Sequence, residues 1–200
     1  MNDHYYTREP ASESRPVSCT FAYRGRTLRF RTDAGVFSKG ELDAGTRLLL
    51  DSLPEEMSGT VLDLGCGWGA IGISVKAVWP ETGVLLSDVN LRALELSRSN
   101  AAENGVQIEC VESDGLTALE GRTFDTILTN PPIRAGKQVI YRMFAEAEKA
   151  LKPGGALYLV IRKQQGAESC MKYLGTLFAE VERTARSAGF WVLRAVKASA

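Results

Sequence analysis

The chain has very few of the residues from which metal centres and acid–base sites are usually built. It contains a single histidine, His4, and its four cysteines (Cys19, Cys66, Cys110 and Cys170) are widely scattered, with no C-x-x-C pair. This spacing excludes the common zinc motifs and offers no histidine for general-base catalysis. We therefore expect no metal site, and reduced thiols of the kind found in cytoplasmic proteins.

Long apolar runs and net charge are also absent. No stretch approaches the roughly 18 consecutive apolar residues of a membrane span, although 44% of the 200 residues are hydrophobic, enough for one globular core. The first sixteen residues are polar and mixed in charge, unlike a signal peptide. The 24 Lys and Arg balance the 24 Asp and Glu, so composition alone does not indicate a nucleic-acid-binding protein. We expect a cytoplasmic protein without a membrane partner.

Arginine is unevenly distributed in the first part of the chain. Six arginines precede Asp33, against three acidic residues. Residues 1–16 predict a loose arm, and the following TFAYRGRTLRFRTD predicts a hairpin that turns at Arg24-Gly25-Arg26. Since side chains alternate along a strand, Arg29 and Arg31 should face outward, toward nucleic acid or simply solvent. The four side chains predicted to face inward are Phe21, Tyr23, Leu28 and Phe30.

Strand and helix patterns alternate along the rest of the chain. After a helix at 42–53, the pattern predicts strands at 61–64, 84–87, 108–111, 124–129 and 156–161, and helices at 68–78, 91–104, 139–151 and 167–178. The last two strands, 181–186 and 190–196, are joined by three residues, too few for a parallel crossover. We predict an α/β fold with a doubly wound, mostly parallel seven-stranded sheet that ends in an antiparallel hairpin. The expected division is an arm and hairpin at 1–34 and one domain at 35–200.

A glycine-rich turn, VLDLGCGWGAIG at residues 61–72, joins the first of these strands to its helix. Gly65, Gly67 and Gly69 alternate there, which allows positive φ angles and lets a ligand approach the backbone closely. The N-terminus of the following helix, expected near Trp68, favours a polar or negative ligand group. Asp63, just before the turn, would repel phosphate but could pair with an ammonium group.

The same segment admits a second interpretation. Gly67, Gly69 and Gly72 also fit G-x-G-x-x-G, and Asp88 follows at a suitable distance to accept two ribose hydroxyls. That pattern would suit a nicotinamide enzyme, but nothing downstream indicates hydride chemistry. The other role open to Asp88 is the N-cap of the next helix.

The tetrapeptide NPPI at 130–133 follows another predicted strand. Asn130 precedes a proline and is pushed toward extended backbone, while Pro131 and Pro132 fix φ and lack an N–H. The side-chain oxygen of Asn130 and the carbonyl oxygen of Pro131 would then be free acceptors for an –NH₂ group. The alternative is a rigid strand end in which Asn130 caps backbone groups.

Four motifs in this order and spacing, VLDLGCGWGAIG, SDVNLRAL, VESDGL and NPPI, resemble those of class I S-adenosylmethionine-dependent methyltransferases over about residues 35–197. The resemblance implies an S-adenosylmethionine cofactor and direct in-line methyl transfer without a dedicated base. It places Asp63 and the glycine turn beside the methionine part, Asp88 at the ribose and Asp114 beside the adenine amine. The implied cofactor-binding residues are Phe37, Asp63, Gly65, Cys66, Gly67, Gly69, Asp88, Val89, Asp114, Gly115 and Asn130. The implied catalytic residues are Asn130, Pro131, Pro132 and Ile133.

Three further segments, GVFSKGELDAGTRLLL, NPPIRAGK and VIRKQQGA, are similar to bacterial small-subunit ribosomal-RNA guanine-N2 methyltransferases. This implies the N2 amine of a guanine as acceptor and ribosomal RNA or the small subunit as partner. Larger members of that family carry a second, degenerate copy of the domain, where this chain has an arm and a hairpin. The residues expected to bind the substrate are Arg134, Lys137, Arg29 and Arg31, and Arg162 and Lys163 in VIRKQQGA are two further cations that could bind phosphates.

Two points stay open at the level of sequence. The fourth position of the NPPI motif is often aromatic in amino-methyltransferases, but here it is Ile133, and Phe37 either supplies the missing ring or is a core residue. The acceptor could instead be another planar nitrogen, such as adenine N6, a protein glutamine amide or a small metabolite. The motifs leave the oligomeric state undetermined.

Overall fold

The computed structural model describes Arg8, residues 13–38 and residues 40–199, so His4 and most of the predicted arm lie outside it. The predicted hairpin is present as β1 (Val17–Tyr23) and β2 (Arg26–Thr32), paired antiparallel. Its side chains alternate as expected, and Arg29 and Arg31 are exposed. The four residues predicted to face inward, Phe21, Tyr23, Leu28 and Phe30, are all buried.

A seven-stranded sheet forms the centre of the molecule and confirms the predicted fold class. Its strands are β3 (Thr60–Leu64), β4 (Gly83–Asp88), β5 (Glu109–Glu112), β6 (Phe124–Thr129), β7 (Leu151–Arg162), β8 (Glu180–Ser187) and β9 (Phe190–Val196). Their spatial order is β5-β4-β3-β6-β7-β9-β8. Strands β3 to β7 run parallel, whereas β9 runs antiparallel to both of its neighbours. All parallel strands therefore end at one edge, called here the carboxyl edge.

In the described part of the chain, five α-helices flank the sheet: α1 (Ala44–Asp51), α2 (Ala70–Val78), α3 (Leu91–Glu103), α4 (Lys137–Ala150) and α5 (Ala167–Leu174). For two of these helices, the predicted first residue was two positions too early. Helix α1 begins after Asp43, whose carboxylate caps it, and α2 begins after Gly69, whose left-handed backbone (φ 88°) leaves Trp68 in the turn. The prediction for β7 was wrong at its start, because the strand already begins at Leu151, before an irregularity in its pairing with β6.

The core consists of two apolar clusters on opposite faces of the sheet. Successive residues of β3 point to opposite faces, with Val61 in the first cluster and Leu62 in the second, as period-two geometry requires. The first cluster includes the hairpin, where the Phe30 ring lies edge-on to Trp68 at 4.9 Å between centroids. The hairpin is thus packed directly against the glycine-rich turn. Among the described residues, no helix is long and apolar enough to cross a membrane.

Two asparagine side chains, one in α3 and one at its C-cap, attach the hairpin by imitating a neighbouring strand. The Asn100 amide accepts from the Arg31 N–H (2.7 Å) and donates to the Arg31 carbonyl (2.9 Å). The Asn104 amide makes the same two bonds with Arg29, at 3.0 and 2.6 Å. Four helical residues rise about 6 Å and two strand residues span about 6.6 Å. The spacings match, so the two asparagine side chains supply hydrogen-bond partners for the outer edge of β2.

Asn100→Ala is expected to destabilise the fold more than Asn104→Ala. Asn100 is fully buried and also donates to the Trp68 carbonyl at 2.8 Å, so its loss leaves several backbone groups without partners, at a cost of about 3 kcal/mol. Asn104 is partly exposed, and water can replace it for about 1 kcal/mol. Urea unfolding of both variants measures the difference. Equal, small losses would contradict the strand-like attachment.

Candidate active site

A cavity of about 310 Å³ opens at the carboxyl edge of the sheet. The ends of β3, β4 and β6 meet there, bringing together Leu64, Asp88 and Asn130. Such a crevice is where open parallel sheets bind their ligands. The sequence-predicted residues that line it are Phe37, Gly65, Cys66, Gly67, Asp88, Val89, Asp114, Gly115, Asn130, Pro131 and Pro132.

The glycine turn forms one wall of this cavity with its backbone. Gly65 and Gly67 have φ angles of 71° and 55°, which favour glycine. A Cβ placed on Gly65 would have no neighbouring atom within 4 Å. The N–H groups of Gly65 and Cys66 both donate to the Ser87 carbonyl at 2.9 Å, which ties the turn to β4. A ligand can therefore lie flat against an open, rigid stretch of main chain.

Gly69 and Gly72 serve packing, and neither lines the cavity. A Cβ on Gly69 would lie 2.6 Å from Ile73, and one on Gly72 would lie 2.6 Å from Leu86 and 3.1 Å from Asp63. Gly69 was expected among the cofactor contacts, but it does not line the cavity. Its role is to begin α2 and to bring that helix close to the sheet.

Asp63 lies beneath the glycine turn, fully buried, and does not line the cavity. One carboxylate oxygen accepts from the Gly72 N–H at 2.8 Å. The other, Oδ1, has no hydrogen-bond partner among the described residues. Burial raises the pKa of Asp63 to about 7. A buried carboxylate so poorly compensated would be stabilised by a positive charge placed on the far side of the turn.

Asp88 lines the cavity and supports the turn from the end of β4. Its Oδ2 accepts from the Gly67 N–H (2.8 Å) and its Oδ1 from the Asn90 N–H (2.9 Å). A carboxylate has about four acceptor positions, so capacity remains for ligand hydroxyls. Burial raises the pKa of Asp88 to about 6. The N-cap of α3 is Asn90 rather than Asp88, so the alternative role as helix cap was wrong.

The loop after β5 contributes two residues to the wall of the cavity. Asp114 and Gly115 both line it. The Asp114 carboxylate accepts a hydrogen bond from the Arg142 guanidinium at 2.5 Å and is more than half exposed. Arg142 thus fixes the position of Asp114 at the rim while leaving its second oxygen available to a ligand.

The Asn130 side chain is held by two residues that the sequence patterns did not single out. Its Nδ2 donates to Oδ2 of Asp43 at 2.9 Å and to Oγ1 of Thr46 at 3.0 Å. A carboxylate can only accept, so this contact fixes which end of the amide is nitrogen. The oxygen is therefore turned away from α1, and no described residue donates to it. The interpretation of Asn130 as a cap for backbone groups is not supported.

Asp43 and Thr46 belong to the first turn of α1. The Asp43 carboxylate caps the helix by accepting from the Gly45 N–H (2.9 Å) and the Thr46 N–H (3.0 Å), and the Thr46 hydroxyl also donates to it. The signal was present as an N-cap aspartate in DAGT before an apolar helical pattern. It was missed because the helix was expected to begin at Leu42.

The prolines of the NPPI motif differ in part from expectation. Both line the cavity, but the Pro131 carbonyl accepts from the Ile133 N–H at 2.9 Å, so it is not a wholly free acceptor. Ile133 does not line the cavity and packs against the cluster beneath α4 and α5. Phe37 is 38% exposed and lines the cavity, so it is not a core residue.

None of the four cations expected to bind substrate lines the cavity. Lys137 begins α4, with its ammonium 5.0 Å from the centre of the Tyr141 ring. Arg134 precedes it in a short 3-10 turn. Arg29 and Arg31 lie on β2 against α3, where Arg31 is 3.8 Å from Glu103. In the described part of the chain, no group of His, Cys, Asp and Glu could hold a metal ion.

Comparison with known proteins places these motifs in context. The family described as methyltransferase small domain matches residues 27–194. The Bacillus subtilis protein YbxB is 42% identical over 98% of this chain and its own full length. Ribosomal RNA small subunit methyltransferase C of Hahella chejuensis is 42% identical over 68% of this chain and 41% of its own length. The chain thus spans less than half of that longer relative.

A solved structure shares the same architecture. The 16S rRNA N2 methyltransferase RsmC of T. thermophilus, in complex with AdoMet and guanosine, superposes with a TM-score of 0.82 at 28% identity. The match covers 94% of this chain and 52% of that one. A methyltransferase from Pyrococcus furiosus, 22% identical with a TM-score of 0.66, shares the fold.

Proposed function

Because the chain belongs to the methyltransferase small domain family, we propose that it transfers the methyl group of S-adenosylmethionine to the exocyclic N2 amine of a guanine in ribosomal RNA. The observation that carries the proposal is the Asn130 amide, whose nitrogen is held by Asp43 and Thr46 so that its oxygen is free to accept from an amine. It lies in the same cavity as the glycine turn. Methyltransferase chemistry also replaces the nicotinamide interpretation of that turn.

The residues of the cavity fit S-adenosylmethionine. The open main chain at Gly65 and Gly67 suits the methionine part, and the spare acceptor capacity of Asp88 suits two ribose hydroxyls. Asp114 lines the rim of the cavity, and in this proposal it lies beside the adenine amine. The uncompensated Asp63 carboxylate beneath the turn favours the ammonium group through the field rather than by contact. When bound, the cofactor supplies an electrophilic methyl group on a sulfonium.

The amine to be methylated is oriented by Asn130. When its oxygen accepts one N–H of the amine, the nitrogen lone pair is directed into the cavity, and alignment of this kind supplies much of the rate acceleration. As the nitrogen gains positive charge, the same acceptor stabilises it more strongly. Asp43 contributes by polarising the amide from behind. The methylated ammonium loses its proton readily, so no dedicated base is needed.

Several observations support guanine in ribosomal RNA as the acceptor. The relatives at 42% and 28% identity are a ribosomal RNA small subunit methyltransferase and a 16S rRNA N2 methyltransferase crystallised with guanosine. Phe37, partly exposed on the cavity wall, offers a ring on which a flat base can stack. It would take the place of the aromatic residue that Ile133 replaces in the NPPI motif.

Transfer of labelled methyl from S-adenosylmethionine tests this function directly. The acceptors are naked ribosomal RNA, isolated small subunits, and an extract of proteins and metabolites. The expected product, after nuclease digestion of labelled RNA, is N2-methylguanosine. Label recovered as N6-methyladenosine, in protein or in small molecules would overturn the proposal in favour of another planar nitrogen.

Affinity for S-adenosylmethionine is expected to rise with pH. Burial raises the pKa of Asp63 to about 7 and that of Asp88 to about 6, and only the ionised carboxylates favour the ammonium and accept hydroxyls fully. Below about pH 7, binding must therefore release protons, and the Kd should increase by up to about tenfold per pH unit for each carboxylate that titrates. Calorimetric titration between about pH 5.5 and 8 measures this slope.

The same pKa shifts predict the opposite trend for the ligand-free protein. Between the ordinary carboxyl pKa and the raised one, the folded chain holds more protons than the unfolded chain. Its free energy of unfolding therefore falls as the pH rises through that range.

Asp63→Asn is the control variant for the binding measurement, since it should flatten the dependence of the affinity for S-adenosylmethionine on pH. An unchanged slope of log Kd against pH in that variant would contradict the role given to Asp63.

A further inference from the structure

The end of β7 and the β8–β9 turn carry a set of cations at the carboxyl edge of the sheet. Arg162 is the last residue of β7, Lys163 follows it, and Arg186 lies beside the turn. All three are exposed. The Lys163 N–H donates to the Gly189 carbonyl at 2.8 Å, which joins the two segments. We call these three residues the β7–β8 cation surface.

This surface is separated from the cavity by a single aromatic ring. Phe190 lies directly opposite Arg162 in the sheet, and the guanidinium lies 4.4 Å from the ring centre. The ring also packs against the first turn of α1, where a Cβ on Gly45 would be 2.8 Å from it. Asp43 and Thr46 of that same turn line the cavity and hold Asn130. Arg162 is therefore one packing layer from the residues that orient the amine.

The two arginines of the surface keep their charge available. In the part of the chain that the structure describes, neither Arg162 nor Arg186 forms an ion pair, and the Arg162 guanidinium lies over the Phe190 ring. Lys163 is 3.9 Å from Glu168, an exposed pair of little strength. By contrast, Arg31 is near Glu103, and its strand faces α3. Cations that are exposed, unpaired and close to the cavity are suited to phosphate.

We infer that the β7–β8 cation surface binds the phosphates of the RNA strand that carries the target nucleotide into the cavity. The inference rests on the proposed function and names the side from which the RNA enters. Its backbone would pass over the end of β7, and the base would turn past Phe190 toward Asn130. Arg29 and Arg31, expected from the sequence to bind substrate, would not contribute.

The test measures binding of a fluorescein-labelled RNA stem–loop with a single-stranded guanine, by anisotropy at several salt concentrations. Arg162→Met and Arg186→Met remove the charge but keep an apolar stem. Each should lower the slope of log Kd against log salt by about one and weaken binding severalfold near 0.1 M salt, with nearly additive effects in the double variant. Affinity for S-adenosylmethionine, measured on the same proteins, should not change.

Arg26→Met is the matched control. Arg26 is exposed at the hairpin tip, opposite Tyr23, whose hydroxyl donates to the Leu50 carbonyl at the far end of α1. This variant has the same loss of charge away from the carboxyl edge and should bind RNA like the wild type. The inference is overturned if the wild type does not bind the RNA, if the double variant keeps the wild-type slope, or if Arg26→Met is weakened equally.

The proposed function and the β7–β8 cation surface can be refuted separately. A wild-type protein that binds RNA through this surface but places no methyl group on guanine would refute the proposed function. A protein that methylates guanine in RNA while the double variant binds normally would refute only the β7–β8 cation surface.

Discussion

Asn130→Ala is expected to lower the rate of methyl transfer by about 100-fold or more, the cost of removing one preorganised acceptor from a transition state. The variant deletes the oxygen that accepts from the amine and leaves the glycine turn and Asp88 intact. Affinity for S-adenosylmethionine should therefore change far less than the rate. Single-turnover transfer of labelled methyl to RNA measures the first quantity and calorimetry measures the second. Normal transfer by this variant would refute the orienting role.

Thr46→Val tests whether the orientation of the Asn130 amide matters, because it leaves that amide in place. It keeps the volume of the side chain but removes the acceptor at 3.0 Å from the Asn130 nitrogen and the donor to Asp43. With Asp43 alone holding the amide, the rate should fall by about tenfold, the equivalent of 1.4 kcal/mol. Thr46→Ser, which restores the hydroxyl, should recover most of it.

Asn104→Ala is the matched control for Asn130→Ala. The same side chain is deleted, but from the C-cap of α3, where it bonds the Arg29 backbone. It should lower the free energy of unfolding and leave the rate per folded molecule unchanged. If both variants lose activity equally, the effect of Asn130→Ala is one of stability.

Gly65→Ala is expected to weaken binding of S-adenosylmethionine by tenfold or more, about 1.4 kcal/mol. A Cβ there has no protein atom within 4 Å and would occupy space that the cavity offers to the ligand. The φ of 71° adds strain for any residue with a side chain. Calorimetric titration of the variant gives the loss of affinity.

Gly105→Ala is the control for Gly65→Ala, because it adds the same backbone strain without reducing the space for the ligand. Gly105, with a φ of 65°, ends α3, and a Cβ there also has no neighbour within 4 Å, but it does not line the cavity. Both variants should lose about 1 kcal/mol of stability, and only Gly65→Ala should lose affinity. Unchanged affinity in Gly65→Ala would mean that the cofactor does not approach this turn.

The sequence by itself determined the architecture and the place of the site. Period-two and period-3.6 patterns are local, and so are the constraints of glycine and proline, so the strands, most helices and the two motifs at strand ends were predictable. The three-residue link at Ser187-Ala188-Gly189 was sufficient to predict an antiparallel final pair. Parallel strands end at one edge, which explains why Asp88 and Asn130 meet in one cavity.

Only the tertiary structure decided which side chains face that cavity and what holds them. Asp43 and Asn130 are 87 positions apart, and no local pattern relates them. Asp63, adjacent to the turn in sequence, lies beneath it because alternate residues of β3 point to opposite faces. The backbone groups of Arg31 and Arg29 are bound by Asn100 and Asn104 beside α3, whereas Arg162 lies at the carboxyl edge against the Phe190 ring. Side-chain contacts of this kind depend on how distant segments pack, and that packing is a property of the whole fold.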